Sequence, residues 1–273
     1  MYYIGPRMLL VPMRVNNTSQ LTPEKYELQG DYLFFKTHDN LTLSGYLSKA
    51  LNKESKGVFL LCHGIGSCKE HQFGVANWFN NLGYDVLSFD SRAHGESEGE
   101  YCSYGYNEKQ DIVSIIDQLE AIGYGNFYIY GASLGGGIAL QTLAIEPRLK
   151  GGIIVSTFST LEEVSFDYQK RLTKIPWKWV NNLVNKNAGK MAGFKASDVN
   201  PELSCQSISQ PVMMIHGEKD KRINFNCARR NFDALSSEVK LLELIPEGNH
   251  MNAWQAGGDE LTKKMILFIQ DNF

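Results

Sequence analysis

Six short, mostly apolar runs recur along this chain, and several of them are separated by stretches with helical spacing. The runs occupy residues 57–62, 84–89, 127–130, 152–155, 212–215 and 241–245. A strand that is buried on both faces has no polar alternation and therefore appears as such a run. Between two runs, Ile112, Ile115, Ile116 and Leu119 recur with the period of a helix. This alternation predicts an α/β fold in which helices cover both faces of a mostly parallel sheet.

Three segments depart from the alternation. Residues 1–27 have no clear hydrophobic period and are expected to form an extended N-terminal arm. Residues 31–47 carry two short β patterns around a polar turn, which predicts a hairpin. Residues 158–200 separate two buried strands by 43 residues and have helical patterns of their own. Because ordinary connections are much shorter, this segment is expected to be a helical cap inserted into a single domain of residues 1–273.

Composition and charge exclude several classes of protein. The chain has 273 residues, 43% of them hydrophobic, and a formal net charge of −3. Such a chain buries a large core without cross-links and has no overall attraction to nucleic acid. No stretch reaches the length of a membrane span, and the five scattered cysteines form no CxxC pair. With a poor match to a signal peptide as well, the sequence predicts a cytoplasmic protein with no metal and no cofactor.

A serine follows the third of these runs, in Gly131-Ala132-Ser133-Leu134-Gly135. Ligands of parallel sheets bind at the carboxyl ends of the strands, so a side chain at this position is well placed for chemistry. A G-x-S-x-G sequence between a buried strand and a helix is typical of a strained turn that exposes a nucleophilic serine. The helix that begins behind it presents N–H groups to developing negative charge. Ser133 is therefore the candidate nucleophile.

A serine nucleophile needs a base, and His250 is the strongest candidate because it lies in a loop after the last run. His94, in a polar loop, is the alternative. His216 lies at the start of its loop and not at the tip, so it is less suited to act as the base.

The base needs a carboxylate to orient it, and Asp220 lies in the loop after the penultimate run. Glu162 and Glu163 follow the preceding run and compete for this role. The oxyanion of an acyl-transfer reaction needs donors, and the glycines of residues 63–66 allow the backbone to turn its N–H groups inward. The backbone N–H groups of Ile65 and Leu134 are the expected donors, and His63 is expected to order the loop.

Five motifs together resemble the α/β-hydrolase superfamily of serine esterases, lipases and thioesterases. They are HGIG at 63–66, DSRAHGES at 90–97, GASLGG at 131–136, IHGEKD at 215–220 and GNH at 248–250. The resemblance spans about residues 32–273 and implies an eight-stranded, mostly parallel sheet. It also implies a Ser-Asp-His triad, which falls on Ser133, Asp220 and His250, and structural roles for Arg92 and His94. A serine at the elbow argues against dehalogenases and epoxide hydrolases of similar fold, which use aspartate.

These observations predict a serine hydrolase that cleaves small-molecule carboxylic esters or thioesters through an acyl-enzyme. An acyltransferase that uses the same intermediate is the alternative, and a non-catalytic binding module of this fold is a third. The cap carries five lysines and no acidic residue from 174 to 195. Ile175, Trp179 and Leu183 share one helical face, which either packs over the sheet or lines an acyl pocket. In the second case the lysines attract anionic substrates or a lipid surface, a weak membrane contact.

Overall fold

An eight-stranded sheet forms the centre of the computed structural model, which describes residues 4–15, 20–51, 54–174 and 176–273. The strand order is β1-β2-β4-β3-β5-β6-β7-β8. Strand β2 pairs antiparallel with both β1 and β4, and all remaining pairs of neighbouring strands are parallel. The bounds are β1 Gly30–Lys36, β2 Thr42–Ser48, β3 Val58–Cys62, β4 Asp85–Phe89, β5 Phe127–Ala132, β6 Leu149–Val155, β7 Val212–Gly217 and β8 Lys240–Ile245. The predicted hairpin and the predicted mostly parallel sheet are both confirmed.

Helices cover both faces of this sheet. In the described ranges their bounds are α1 Ile4–Leu10, α2 Phe73–Asn81, α3 Glu108–Ala121, α4 Leu134–Leu143, α5 Leu161–Thr173, α6 Lys178–Ala192, α7 Pro201–Cys205, α8 Asn226–Ala234 and α9 Ala253–Asn272. The central strand β3 shows how the core divides. Val58, Leu60 and Cys62 face the core formed with α3 and α4, whereas Phe59 and Leu61 face the core formed with α2 and α9. Alternate side chains of one strand thus enter opposite hydrophobic layers.

The long segment between β6 and β7 forms α5, α6, a short 3-10 turn at Ala196–Asp198 and α7. We call residues 158–200 the cap. Its inward face differs from the expected one, since α6 buries Asn181, Asn185 and Ala188 while Trp179 is 62% exposed. Ile175, which the prediction also placed on that face, lies outside the described residues.

The N-terminal segment is not the fully extended arm that was expected. Ile4–Leu10 is a helix, and Leu10 is completely buried. The helix packs on α6, where Val184 touches the position that a side chain at Gly5 would occupy. Residues 1–3 and 16–19 of the expected arm lie outside the described residues. In the part of the chain that the structure covers, no helix is long and apolar enough to cross a bilayer.

Candidate active site

Ser133 stands on a sharp turn between β5 and α4, with φ 55° and ψ −116°. This left-handed conformation is costly for a residue with a side chain, so the surroundings must enforce it. Two glycines permit the close approach. A Cβ at Gly131 would lie 2.3 Å from the Gly135 carbonyl oxygen, and one at Gly135 would lie 1.9 Å from the Cys62 carbonyl oxygen. The Ser133 N–H donates to the carbonyl oxygen of Val155 at 2.9 Å and fixes the turn against β6.

Three predicted side chains form one hydrogen-bonded chain. Oγ of Ser133 lies 2.9 Å from Nε2 of His250, and Nδ1 of His250 lies 2.7 Å from Oδ2 of Asp220. The Asp220 carboxylate is fully buried and the His250 imidazole is 7% exposed. An imidazole with a carboxylate on one nitrogen and a hydroxyl on the other can take the hydroxyl proton.

The Asp220 carboxylate is held by four groups. Its Oδ1 accepts hydrogen bonds from the backbone N–H groups of Arg222 at 2.7 Å and Ile223 at 3.0 Å. Its Oδ2 faces His250 and also His216, whose Nε2 is 3.2 Å away. Burial alone would raise the pKa of Asp220, but the hydrogen bonds from His216 and His250 hold that pKa well below its ordinary value. The carboxylate is therefore ionised and oriented throughout the neutral range.

The glycine-rich loop at residues 63–66 lies beside the serine. Cβ of Ser133 is 3.6 Å from the position a Cβ would take at Gly64. His63 is buried within this loop, with Nδ1 2.8 Å from the Gly64 oxygen and Nε2 accepting the Ser91 N–H at 3.0 Å. Burial lowers the pKa of His63 to about 4, so its ring is neutral and serves to order the loop.

Both expected oxyanion donors belong to segments that border Ser133. Ile65 and Leu134 line the same cavity as the serine. Leu134 is the first residue of α4, and the first N–H groups of a helix have no partner within the helix. Its N–H is therefore available to a bound oxygen.

The alternative candidates for the base and for the carboxylate form no hydrogen bond or ion pair with Ser133 or His250 in the described part of the chain. The buried His94 ring lies 3.0 Å from the Arg92 carbonyl oxygen through Nδ1 and packs edge-on against His63. Glu163 pairs with Arg230, and Glu162 is exposed on α5. Because Asp220 is the carboxylate in contact with His250, neither glutamate takes its place in this geometry.

A cavity of about 350 Å³ opens beside Ser133, and its walls are mostly apolar. Phe158 and Val164 contribute from the start of the cap, and Leu172 and Val180 from its two helices. Trp179 does not line it, contrary to one of the expectations for the cap. An apolar space next to a nucleophile suits an apolar chain attached to the reacting carbonyl.

The N-terminal helix is a part of the site that the sequence did not reveal. Gly5, Met8 and Leu9 of α1 line the same cavity. Arg14 holds this segment in place, since its guanidinium donates to the carbonyl oxygens of Gly95 at 2.9 Å and of other residues in the 94–99 loop. In the sequence, the one indication that this segment packs on the domain was the short apolar run at residues 8–13, which ends at Arg14.

One group of side chains in the described ranges has the spacing of a metal site, namely His38, Asp39 and Asp111. The Arg92 guanidinium already binds both carboxylates, with Nε 2.7 Å from Asp111 and Nη1 3.0 Å from Asp39. A cation at this position would meet that fixed positive charge, so the donor set suits an ion-pair cluster better than a metal.

The proteins whose sequences are similar to this chain include two named hydrolases. A 2,6-dihydropseudooxynicotine hydrolase of Paenarthrobacter nicotinovorans is 29% identical over 202 residues, which make up 71% of this chain and 49% of that protein. The lysophosphatidylserine lipase ABHD12 of Danio rerio is 26% identical over 202 residues, covering 70% of this chain and 50% of that protein. This chain spans about half the length of each of these relatives.

Similarity of fold extends over almost the whole chain. The structure of the Pyrococcus furiosus esterase Pf2001 matches with a TM-score of 0.79 and 22% identity, over 96% of this chain and 98% of that one. The family model for the alpha/beta hydrolase fold matches residues 57–198, more than half of the sequence. These residues contain the serine turn, the glycine-rich loop and most of the cap. The chain therefore belongs to the α/β-hydrolase fold family.

Proposed function

We propose that this protein hydrolyses carboxylic esters or thioesters through an acyl-enzyme on Ser133. The observation that carries the proposal is the continuous hydrogen-bonded chain from Ser133 through His250 to the buried carboxylate of Asp220. The strained turn that exposes the serine and the glycine-rich loop beside it supply the remaining parts of an acyl-transfer site.

The reaction takes place in two halves. Oγ of Ser133 attacks the substrate carbonyl carbon while His250 accepts the hydroxyl proton. His250 then passes that proton to the leaving alcohol or thiol as the C–O or C–S bond breaks. A water molecule then attacks the acyl-enzyme while His250 accepts its proton, and His250 returns that proton to Oγ of Ser133 as the C–Oγ bond breaks and the acid leaves. Throughout, Asp220 orients the imidazole and stabilises its charged form.

The oxyanion forms twice, once in each half-reaction. We assign its stabilisation to the backbone N–H groups of Ile65 and Leu134, which border the serine. Two preorganised donors of this kind stabilise the negative charge that develops in the transition states and stays on the tetrahedral intermediates.

The cavity beside the serine supports an apolar acyl chain as the preferred substrate part. Its walls come from α1 and from α5 and α6 of the cap, and a volume of about 350 Å³ accepts a chain of several methylene groups. One of the relatives is a lysophosphatidylserine lipase, and its name is consistent with this class of substrate.

A panel of p-nitrophenyl esters from acetyl to palmitoyl tests the proposal. We expect hydrolysis with a maximum kcat/KM at a medium chain length, because longer chains gain apolar burial until the cavity is filled. The matched control is Ser133→Ala, which should lower kcat by about 10⁶.

Two further outcomes decide against the proposal. A folded protein that hydrolyses no ester of the panel and none of the matched thioesters would contradict it. So would a Ser133→Ala variant with the turnover of the wild type. Addition of a short alcohol to the same assay distinguishes hydrolysis from acyl transfer, since a transferase forms the new ester in preference to the acid.

A further inference from the structure

The turn between α5 and α6 is exposed, basic and aromatic. All described residues from 170 to 179 are exposed, and the segment reads Lys-Arg-Leu-Thr-Lys-Ile-Pro-Trp-Lys-Trp. We call residues 170–174 and 176–179 the cap tip. It carries four cationic side chains and no acidic one, and the rings of Trp177 and Trp179 stack with centroids 5.9 Å apart. Exposed tryptophans beside lysines are characteristic of segments that lie at a lipid–water interface.

The cap tip lies at the mouth of the apolar cavity. Leu172 lines the cavity and is nevertheless 66% exposed, and Met8 of α1 lines it and is 68% exposed. Side chains that line the cavity and are also exposed to solvent form the rim of its opening. Ile4 of α1, also exposed, continues this apolar surface.

Positive charge extends from the cap tip along α6. Lys186 and Lys190 follow Trp179 by seven and eleven residues, so all three side chains lie on one side of the helix, and all are exposed. Within the described residues, Lys174, Lys178, Lys186 and Lys190 have no ion-pair partner. Lys170 pairs with Asp167 at 3.5 Å. Glu162 and Asp198 line the same groove as Lys186 and Lys190. The positive charge is therefore least offset at Lys174 and Lys178 of the cap tip, although the chain as a whole is slightly acidic.

We propose that the cap tip and the rim of α1 dock on an anionic phospholipid surface and thereby place the cavity mouth against the membrane. Trp177 and Trp179 would enter the interfacial layer, and the lysines would contact the anionic headgroups. The positive charge of the cap tip is complementary to the negative charge of anionic headgroups, which favours a lipid surface of this kind. The apolar rim argues against a purely electrostatic partner, because exposed leucine and methionine gain nothing from a polar surface.

Vesicle co-sedimentation tests the proposal, with the Ser133→Ala variant throughout so that lipid turnover does not interfere. Vesicles of phosphatidylcholine are compared with vesicles in which roughly a third of the lipid is phosphatidylglycerol. We expect binding to the anionic vesicles, weak binding to the neutral ones, and a loss of binding as salt rises from about 0.1 M to about 0.5 M.

Charge reversal at Lys174 and Lys178 identifies the surface. Each lysine near an anionic membrane contributes about fivefold to binding, so K174E/K178E should weaken binding about 25-fold or more. The matched control is K150E/K263E, which makes the same change of charge on β6 and α9 at exposed positions outside the cap. This control should change binding by no more than about threefold, the part due to net charge.

Tryptophan fluorescence gives an independent readout. Emission should shift to shorter wavelength on anionic vesicles, and Trp177→Phe/Trp179→Phe should abolish the shift. The vesicle result does not depend on the proposed ester hydrolysis, because binding is measured without turnover. Conversely, K174E/K178E in the wild-type background should hydrolyse a soluble acetyl ester at the normal rate.

Three results would overturn the proposal. The first is a wild-type protein that leaves anionic vesicles unbound at low salt. The second is an equal loss of binding in K150E/K263E and K174E/K178E. The third is a dimer in sedimentation velocity that K174E/K178E dissociates, together with no vesicle binding, since the surface would then join two copies of the chain.

Discussion

The imidazole of His216 lies 3.2 Å from Oδ2 of Asp220, the same oxygen that faces His250 at 2.7 Å. Nε2 of His216 also lies 3.1 Å from the carbonyl oxygen of Ile223. Because both neighbours of Nε2 are acceptors, that nitrogen carries the proton and His216 donates to them. Nδ1 is buried without a hydrogen-bond partner among the described residues. From the sequence, His216 is a candidate only for the base, whereas the geometry makes it a positioning residue for the Asp220 carboxylate.

His216→Phe should lower kcat about tenfold with little change in KM for a soluble ester. Phenylalanine keeps the ring but donates no hydrogen bond, and about 1.4 kcal/mol of lost orientation corresponds to this factor. Asp220→Ala should cost more, about 10⁴ in kcat. Steady-state kinetics of the double variant provide the control. If His216 acts through Asp220, then His216→Phe should have no further effect in the Asp220→Ala background, and a full additional tenfold loss would contradict this role.

Ile65→Pro should lower kcat by roughly 10²–10³, because proline removes the backbone N–H that we assign to the oxyanion site. Ile65→Ala keeps the N–H and should lose little. Both variants need a thermal unfolding curve that shows a folded protein. Normal turnover by a folded Ile65→Pro enzyme would exclude this donor.

Val180→Phe should shorten the preferred acyl chain. Val180 lines the cavity from α6, so a larger side chain there occupies space that a long chain needs. We expect kcat/KM to fall at least about tenfold for an octanoyl ester relative to an acetyl ester. Trp179→Ala is the control, since Trp179 is exposed and does not line the cavity. Equal losses on both esters in Val180→Phe would show that the acyl chain lies elsewhere.

Stability should fall on mild acidification, and His63 should account for much of the change. Its pKa is about 4 in the folded protein and about 6.5 when unfolded. Between these values the unfolded chain binds a proton that the folded protein does not, so the free energy of unfolding decreases as pH falls from about 6.5 to about 4. For His63 this amounts to about 2 kcal/mol between pH 7 and pH 5. Urea unfolding at the two pH values measures it, and His63→Gln should show a smaller difference. An undiminished difference in that variant would assign the effect to other groups.

The sheet was predictable because strands that are buried on both faces consist mostly of apolar residues without polar alternation. The run at residues 212–215 becomes β7, and the run at residues 127–130 becomes β5, which extends to Ala132 beneath the serine turn. Each candidate catalytic residue also follows one of these runs, so their meeting at one edge of the sheet follows from topology.

The inner face of the cap was not predictable in the same way. Polar side chains are buried there, because Asn181 and Asn185 hydrogen bond with Ser165 across the interface between α5 and α6. Hydrophobic spacing selected Trp179 and Leu183, but only mutual hydrogen bonding explains why asparagines face inward. A sequence pattern does not reveal such a partnership between separate helices.

The N-terminal helix was missed for a different reason. A seven-residue helix is too short to show a period and is marginal on its own. Its stability comes from contacts that are distant in sequence, such as the Tyr104 hydroxyl, which donates to the Leu9 carbonyl oxygen at 2.8 Å. Only the folded structure shows that this helix forms a wall of the cavity.

Covalent labelling with a fluorophosphonate tests the central claim, that Ser133 is an activated nucleophile, most directly. Intact-mass and peptide analysis should show one adduct on the peptide that contains Ser133, and none in Ser133→Ala. His250→Ala should label far more slowly, since its serine lacks the base. A folded wild-type protein that stays unlabelled, or that carries the label on a residue other than Ser133, would contradict the account.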